Sequence, residues 1–163
     1  MVLPLHKCTE FLKEVLKYSP IFTKGYDVIM KIILCLDDNN GMLFNNRRQS
    51  RDKTVIDDII LNLKNERLLV SSFSEKLFEE FSDSVTVDDD FLKNASDDNI
   101  CFVENQSLKD FENITEVTVY RWNRVYPADF YCDVDFSRFS LASETEFKGN
   151  SHDKITKQIF IKG

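Results

Sequence analysis

The sequence predicts an α+β fold in which N-terminal helices pack on a C-terminal antiparallel β-sheet. Two observations favour this architecture. Apolar residues recur at helical spacing in the first 99 residues, whereas apolar and polar residues alternate from about residue 100 onward. Helices and strands that occur in separate runs are typical of α+β proteins. A length of 163 residues with 42% hydrophobic content predicts one domain (1–163), with a mainly helical part (1–99) and antiparallel strands (100–163).

Three segments before residue 100 carry a helical pattern. Residues 5–17 place leucine, valine and phenylalanine on one face, and residues 73–84 do the same with three phenylalanines and a leucine. Thr54 is a suitable N-cap, and two acidic residues follow it in the first turns. We therefore expect a third helix over residues 54–66.

The remaining segments of this half are less regular. Residues 21–36 are apolar enough for a largely buried helix, and a strand from Val28 to Leu36 stays open as the alternative. Residues 37–53 are polar and rich in turn-forming residues, which predicts a loop that carries the strongest cluster of arginines. A short strand is expected at residues 67–72.

The C-terminal third has the alternation that is typical of strands. It occurs in residues 100–104, 114–122 and 130–136, and two further strands are expected over residues 140–149 and 154–162. The sequence GNSHD between the last two is a favourable hairpin loop.

The N-terminal sequence and the cysteines both indicate a reducing compartment. The start of the chain lacks a signal-peptide pattern, and the longest apolar run, VIMKIILCL, is too short to span a bilayer. None of the four cysteines (Cys8, Cys35, Cys101 and Cys132) forms a C-x-x-C pair. We therefore expect free thiols and a cytoplasmic protein that does not contact a membrane.

No catalytic, cofactor or metal motif is evident. His152 lies beside Ser151 and Asp153, but neighbours on an extended chain point to opposite sides, so a role in the turn is favoured over catalysis. The acid pair Asp133 and Asp135 has no second motif that would indicate a metal site. The sequence therefore predicts no enzyme, no cofactor and no metal.

The segment YRWNR, residues 120–124, allows two interpretations. Tyr120 and Trp122 could stack on bases while Arg121 and Arg124 hold phosphates, as in proteins that bind single strands. Alternatively, the two aromatic side chains pack in the core and the arginines pair with carboxylates. We favour the core interpretation.

The acidity of the chain is local. Residues 75–116 hold 13 acidic and 3 basic residues, a net charge of −10, whereas the other 121 residues have a net charge of +3. Such a field attracts a basic partner and speeds its docking. A solvated face that keeps the protein soluble is the alternative.

The C-terminal third resembles immunity proteins of bacterial contact-dependent growth inhibition systems, in particular those that act against ribonuclease toxins. The resemblance covers about residues 114–162 and rests on YRWNR with YPAD at 126–129, and on GNSHDKITK at 149–157. It implies a cytoplasmic protein without catalysis that neutralises a cognate toxin domain by occluding its active site.

The predicted partner is the C-terminal domain of that toxin, expected to be a basic nuclease, with no direct contact to nucleic acid. The acidic segment would mimic phosphates and meet the lysines and arginines of the toxin. The candidate toxin-binding residues are Asp83, Asp88, Asp89, Asp90, Asp97, Asp98 and Glu104. The alternative function is RNA binding or RNA processing through Tyr120, Trp122, Arg121, Arg124 and His152.

Overall fold

The structure, a computed structural model, describes residues 28–163. Within this range two helices occur, α1 (Lys53–Leu61) and α2 (Phe91–Asn94), with 3₁₀ segments at Glu75–Ser84 and Phe136–Arg138. The strands in chain order are β1 (Met30–Leu36), β2 (Gly41–Phe44), β3 (Arg47–Arg48), β4 (Arg67–Val70), β5 (Val85–Val87), β6 (Asn99–Phe102), β7 (Ile114–Arg121), β8 (Phe130–Tyr131), β9 (Phe139–Phe147) and β10 (Ile155–Lys162).

Seven strands form one mixed sheet in the order β5-β4-β6-β1-β7-β10-β9. The five strands from β5 to β7 are mutually parallel, and β10 runs antiparallel to both β7 and β9. The fold is therefore α/β, and the predicted α+β class is wrong. Parallel strands that are covered on both faces read as continuous apolar runs, which resemble buried helices in a sequence.

The central strand shows this ambiguity directly. Residues 30–36, for which a helix was favoured, form strand β1, so the alternative interpretation is the correct one. Ile32 and Leu34 pack into the core on one face of the sheet, and Ile33 packs into the core on the other face. With both faces buried, the strand has no polar side that would reveal its period of two.

Helix α1 covers one face of the sheet with Val55, Ile56 and Ile59. It ends earlier than predicted, and its N-cap is Asp52 and not Thr54, because the Asp52 side chain accepts a hydrogen bond from the Thr54 N–H. The predicted helix over residues 73–84 is a 3₁₀ segment that buries Phe78.

The prediction of the C-terminal strands is largely confirmed. Strands β7, β9 and β10 form where alternation predicted them, and β9 and β10 form the expected hairpin. The predicted strand over residues 130–136 shortens to β8, which pairs with β2 in a second sheet of order β3-β2-β8. The predicted helix at residues 5–17 lies outside the described residues.

Two further expectations concern the environment of the chain. In residues 28–163 no helix has the length and apolar character needed to cross a membrane. Cys35, Cys101 and Cys132 are free thiols, as predicted. Burial raises the pKa of the Cys101 thiol to about 12, which keeps it protonated and unreactive.

Two leucines allow a matched test of the buried sheet. Leu34 in β1 is 0% exposed and Leu61 at the end of α1 is 83% exposed. We expect Leu34→Ala to lower the free energy of unfolding by about 3 kcal/mol, because it leaves a cavity in the core. Leu61→Ala should change it by less than about 0.5 kcal/mol. Chemical denaturation of both variants would measure this, and equal effects would contradict the central position of β1.

Candidate functional site

The carboxyl ends of the parallel strands bring distant polar residues together at one edge of the sheet. The loops that follow β1 and β7 start at this edge. The loop between β9 and β10 also lies there, because β10 runs antiparallel to β7 and begins opposite the end of β7. Ligands of open α/β sheets bind at this edge. The strand directions therefore indicate that the candidate site lies at the carboxyl edge of the parallel strands.

Asp52 is the centre of the polar cluster. Its side chain is fully buried and accepts hydrogen bonds from the backbone N–H groups of Thr54 (2.9 Å), Asn150 (2.8 Å) and Ser151 (2.8 Å). Burial alone would raise the pKa of this carboxyl, but these hydrogen bonds and one from His152 outweigh it and hold the pKa well below its usual range. Asp52 is therefore a buried, ionised carboxylate.

The close packing of Asp52 requires a glycine beside it. A Cβ on Gly149 would lie 2.4 Å from Asp52 Oδ2 and 3.0 Å from the backbone oxygen of His152. Only a residue without a side chain lets the 149–152 loop approach the carboxylate so closely. The hairpin loop that the sequence revealed thus has a second role as a cradle for Asp52.

His152 connects Asp52 to a serine hydroxyl. Its Nδ1 lies 2.9 Å from Asp52 Oδ2, and its Nε2 lies 3.0 Å from Ser50 Oγ. A carboxylate can only accept, so Nδ1–H donates to Asp52. In the neutral form of the ring, Nε2 then accepts from the Ser50 O–H. The ring stacks on Trp122 at a centroid distance of 4.7 Å and an interplanar angle of 21°. The side chain is only 7% exposed, so its orientation is fixed.

This arrangement has the connectivity of a Ser–His–Asp triad. Such a triad is recognised by geometry and roles, since the order of its members along the chain differs between folds. Ser50 is the candidate nucleophile, His152 the general base, and Asp52 the group that orients the imidazole and stabilises its protonated form. The triad partners of His152 are thus residues about 100 positions away. The hydroxyl of its sequence neighbour Ser151 also lies 3.3 Å from Nδ1, on the side of the ring that faces Asp52.

A second buried carboxylate holds the surrounding loops. Asp37 accepts from the N–H groups of Gly41 (2.7 Å) and Tyr126 (3.1 Å) and from the Gln49 side chain (2.9 Å), among others. Burial would raise its pKa, but the hydrogen bonds outweigh that effect and lower it. Asp37 thereby joins the end of β1 to the loops that carry Ser50 and Tyr126.

A cleft adjoins the triad between α1 and the 3₁₀ segment at Glu75–Ser84. Its volume is about 490 Å³, and its apolar lining comes from Ile56, Leu77 and Phe81. The polar lining includes Asp52 itself, and also Arg51 and Ser151, which are immediate chain neighbours of Ser50 and His152.

The cations of this cleft are only partly paired. Lys53 pairs with Asp57 and Glu80, whereas Arg51 and Lys76 make no salt bridge with any residue in 28–163. The cleft therefore combines an apolar floor with two cations that are available to a ligand.

The predicted toxin-binding acids are largely used within the protein. Glu104 is 8% exposed and forms a two-pronged ion pair with Arg48, with both N–O distances at 2.9 Å. Asp89 accepts from Ser72, Asp88 from Asn94, and Asp97 from the N–H of Ile29. Asp83, Asp89, Asp90, Asp97 and Asp98 are exposed. Contact between these exposed residues and a basic partner stays a prediction. Glu104 is poorly placed for such a contact because it is buried.

The aromatic residues proposed for RNA are inside the protein. Tyr120 is 1% and Trp122 5% exposed, so neither presents a face to a base. The Tyr120 hydroxyl donates to Asp58 at 2.7 Å, and Arg121 donates to the carbonyl oxygen of Asp37. The alternative function of RNA binding or processing is therefore wrong, and the core interpretation of these aromatic residues is correct.

A metal site needs several ligating side chains that converge on one point. No group of three or more His, Cys, Asp or Glu side chains in residues 28–163 is placed to hold a metal ion. Asp133 and Asp135 instead accept hydrogen bonds from backbone N–H groups. Asp133 accepts from the N–H of Leu108, and Asp135 caps the second 3₁₀ segment through the N–H of Ser137.

No protein-family model matches this chain, and no curated protein does. By contrast, 271 chains of solved structures match its fold. One is a dihydrofolate reductase from Enterococcus faecalis, solved in complex with NADP(H) and RAB-propyl. The TM-score is 0.58 over 83% of this chain and 96% of the reductase, with 8% sequence identity. At that identity the likeness shows the fold alone, which is the α/β fold of dihydrofolate reductase.

This finding corrects the functional interpretation of the sequence. The chain shares its fold with a dihydrofolate reductase, so the resemblance to immunity proteins is wrong. The expectations that depended on it, toxin neutralisation and the absence of catalysis, are overturned with it. The strings that carried the resemblance have structural roles, since YRWNR ends the buried strand β7 and GNSHD forms the loop around Asp52.

The glycine cradle gives the first prediction for the site. Gly149→Ala should force Asp52 away from its donors and lower the free energy of unfolding by about 2 kcal/mol, since buried hydrogen bonds are lost. Gly163→Ala is the matched control, because a Cβ there would meet no atom within 4 Å. Thermal unfolding measures both variants. An unchanged midpoint for Gly149→Ala would show that Asp52 is not held as described.

The two buried carboxylates predict a dependence of stability on pH. The pKa values of Asp37 and Asp52 are lower in the folded protein than the ordinary value of 3.8. Their contribution to stability is therefore complete above that value and is lost as the pH falls through the lower folded values. Urea denaturation from pH 6 to pH 2 should show this decline. Asp52→Asn should be less stable at pH 6 and decline less steeply, so parallel curves would contradict the assignment.

Proposed function

We propose that this chain is an enzyme that cleaves acyl esters through a serine nucleophile. The observation that carries the proposal is the array in which Ser50 Oγ lies 3.0 Å from His152 Nε2 while His152 Nδ1 lies 2.9 Å from the buried carboxylate of Asp52. Hydrogen-bond reach between nucleophile and base, with the base oriented by a third group, is the geometry that acyl transfer to serine needs.

The reaction follows from the roles of the three side chains. His152 Nε2 takes the proton of the Ser50 hydroxyl as Oγ forms a bond to the carbonyl carbon, and the π electrons of the carbonyl move to its oxygen. The intermediate collapses, the ester C–O bond breaks, and the leaving oxygen takes the proton from His152. Water then repeats the sequence on the acyl-serine and releases an acid. Asp52 stays ionised and stabilises the charged imidazole throughout.

The cleft beside the triad supports a small substrate. Its apolar lining suits a short acyl or alcohol chain, and Arg51 and Lys76 offer charge to a polar end of that molecule. Arg51 and Asp52 both line this cleft, so a substrate held by Arg51 shares the cleft with the carboxylate member of the array. We propose this cleft as the substrate site.

The dinucleotide of the similar reductase does not fit the residues of this chain. Nucleotide phosphates in α/β folds need close backbone N–H groups, commonly from glycine-rich turns, or cations at the carboxyl edge. Here the residues after β4, β5 and β6 contain no glycine and carry carboxylates, including Asp88, Asp89 and Glu104. Arg48 is already bound to Glu104 and to the carbonyl oxygen of Phe73. Hydride transfer from NADP(H) is therefore not proposed.

We place this activity in the cytoplasm. Support comes from the free thiols of Cys35, Cys101 and Cys132, which are typical of a reducing compartment. The buried thiols would persist there without oxidation.

A phosphonate that forms a covalent bond to activated serines tests the proposal. We expect a fluorophosphonate probe to label the wild-type chain at Ser50, identified by peptide mass spectrometry, and Ser50→Ala to lose the label. Hydrolysis of 4-nitrophenyl butyrate should fall at least about 1,000-fold in Ser50→Ala, because the nucleophile is removed. Ser137→Ala, an exposed serine bonded only to Asp135, is the control. A folded wild-type protein that takes no label, or takes it elsewhere, would refute the proposal.

A further inference from the structure

We propose that Tyr126 is a further catalytic residue of this site, whose hydroxyl donates a hydrogen bond to the oxyanion formed on the substrate. This inference rests on the proposed function. The triad does not use the Tyr126 hydroxyl, whose oxygen lies 3.2 Å from His152 Nε2. The same nitrogen is 3.0 Å from Ser50 Oγ.

Two hydroxyls thus face a single acceptor. The Nδ1–H of His152 donates to Asp52, so Nε2 of the neutral ring offers one lone pair in the ring plane. Ser50 and Tyr126 cannot both donate to that lone pair with good geometry. One of the two hydroxyls is therefore always poorly satisfied at Nε2, and a new acceptor that appears beside it would bind that hydroxyl.

Tyr126 is held in this position from several directions. Its backbone N–H donates to Asp37 Oδ2 at 3.1 Å. The guanidinium of Arg124 lies 5.9 Å from the centre of its ring, and the carbonyl oxygen of Arg124 accepts from the N–H of Asp38. A half-buried phenol fixed in this way is preorganised, as a donor for a transition state should be.

The acceptor appears during the reaction. When Nε2 takes the proton of Ser50, it becomes a donor and no longer accepts from the Tyr126 hydroxyl. At the same step the carbonyl oxygen of the substrate becomes an alkoxide. The Tyr126 O–H then donates to this oxygen and keeps its own proton, and the hydrogen bond is strong because the acceptor is charged. The bond weakens again when the carbonyl re-forms and the leaving group departs.

The opposite role for Tyr126 makes an opposite prediction. If its hydroxyl only competed with Ser50 for Nε2, removing it would free the base and raise the rate. Tyr126→Phe separates the two roles by the sign of its effect. Tyr131→Phe is the matched control, because the Tyr131 ring is 51% exposed and its hydroxyl donates to the carbonyl oxygen of Ala128.

The experiment is steady-state hydrolysis of 4-nitrophenyl butyrate by the wild type and both variants. Loss of one oxyanion donor lowers kcat about 100-fold in enzymes of this kind, with KM within about twofold. We expect that result for Tyr126→Phe and unchanged constants for Tyr131→Phe. An equal or higher kcat for Tyr126→Phe would overturn the role of Tyr126. The proposed function would still stand in that case, provided that the fluorophosphonate probe labels Ser50.

Inhibition by propylboronic acid gives a readout that a structural role of Tyr126 would not move. Boron forms a tetrahedral, negatively charged adduct on the serine oxygen, which resembles the intermediate. Tyr126→Phe should weaken this inhibition by about the same factor as kcat, while the emission of Trp122, stacked on His152, stays that of the wild type. Unchanged inhibition would overturn the inference. A wild type that neither hydrolyses the ester nor binds the boronate at Ser50 would overturn the proposed function and this inference together.

Discussion

The site depends on one buried negative charge, the carboxylate of Asp52. An ionised group without water costs several kcal/mol unless hydrogen bonds replace the lost hydration. Here the donors come from two regions about 100 residues apart, the start of α1 and the loop between β9 and β10. The same carboxylate caps a helix, closes a hairpin and orients His152. Because the helix N-terminus, the hairpin loop and His152 all bind the same two carboxylate oxygens, the loops at this edge have little freedom to move independently.

The sheet explains why these groups meet. Parallel strands deliver their following loops to the same edge, and β10 begins at that edge because it runs the other way. Asp37, at the end of the central strand, ties three of these loops together with its own buried charge. Two carboxylates whose pKa values are lowered by backbone donors thus support the site, in which Ser50 and Tyr126 each lie within hydrogen-bond distance of His152.

The likeness to dihydrofolate reductase illustrates the distinction between a fold and a site. At 8% identity the two proteins share a fold, but a fold hosts many chemistries and the side chains of the site decide which one occurs. In this chain that edge carries carboxylates, and its Arg48 is bound to Glu104. A Ser–His–Asp array stands next to a cleft with an apolar floor. We propose acyl transfer for these side chains, on a backbone that is similar to that of a dihydrofolate reductase.

The sequence by itself determined those features that depend on near neighbours. The strands β7, β9 and β10, the hairpin between the last two, the free thiols, and the buried positions of Tyr120 and Trp122 all follow from local alternation and composition. Tertiary structure alone decided the parallel sheet and the site. A strand that is buried on both faces, such as β1, has lost the period that distinguishes it from a helix. The partners Ser50, Asp52 and His152 are joined by contacts across about 100 residues, and no local pattern encodes such contacts. The sequence predicted residues 37–53 only as a polar loop with a cluster of arginines, and nothing in that pattern distinguished Ser50 or Asp52.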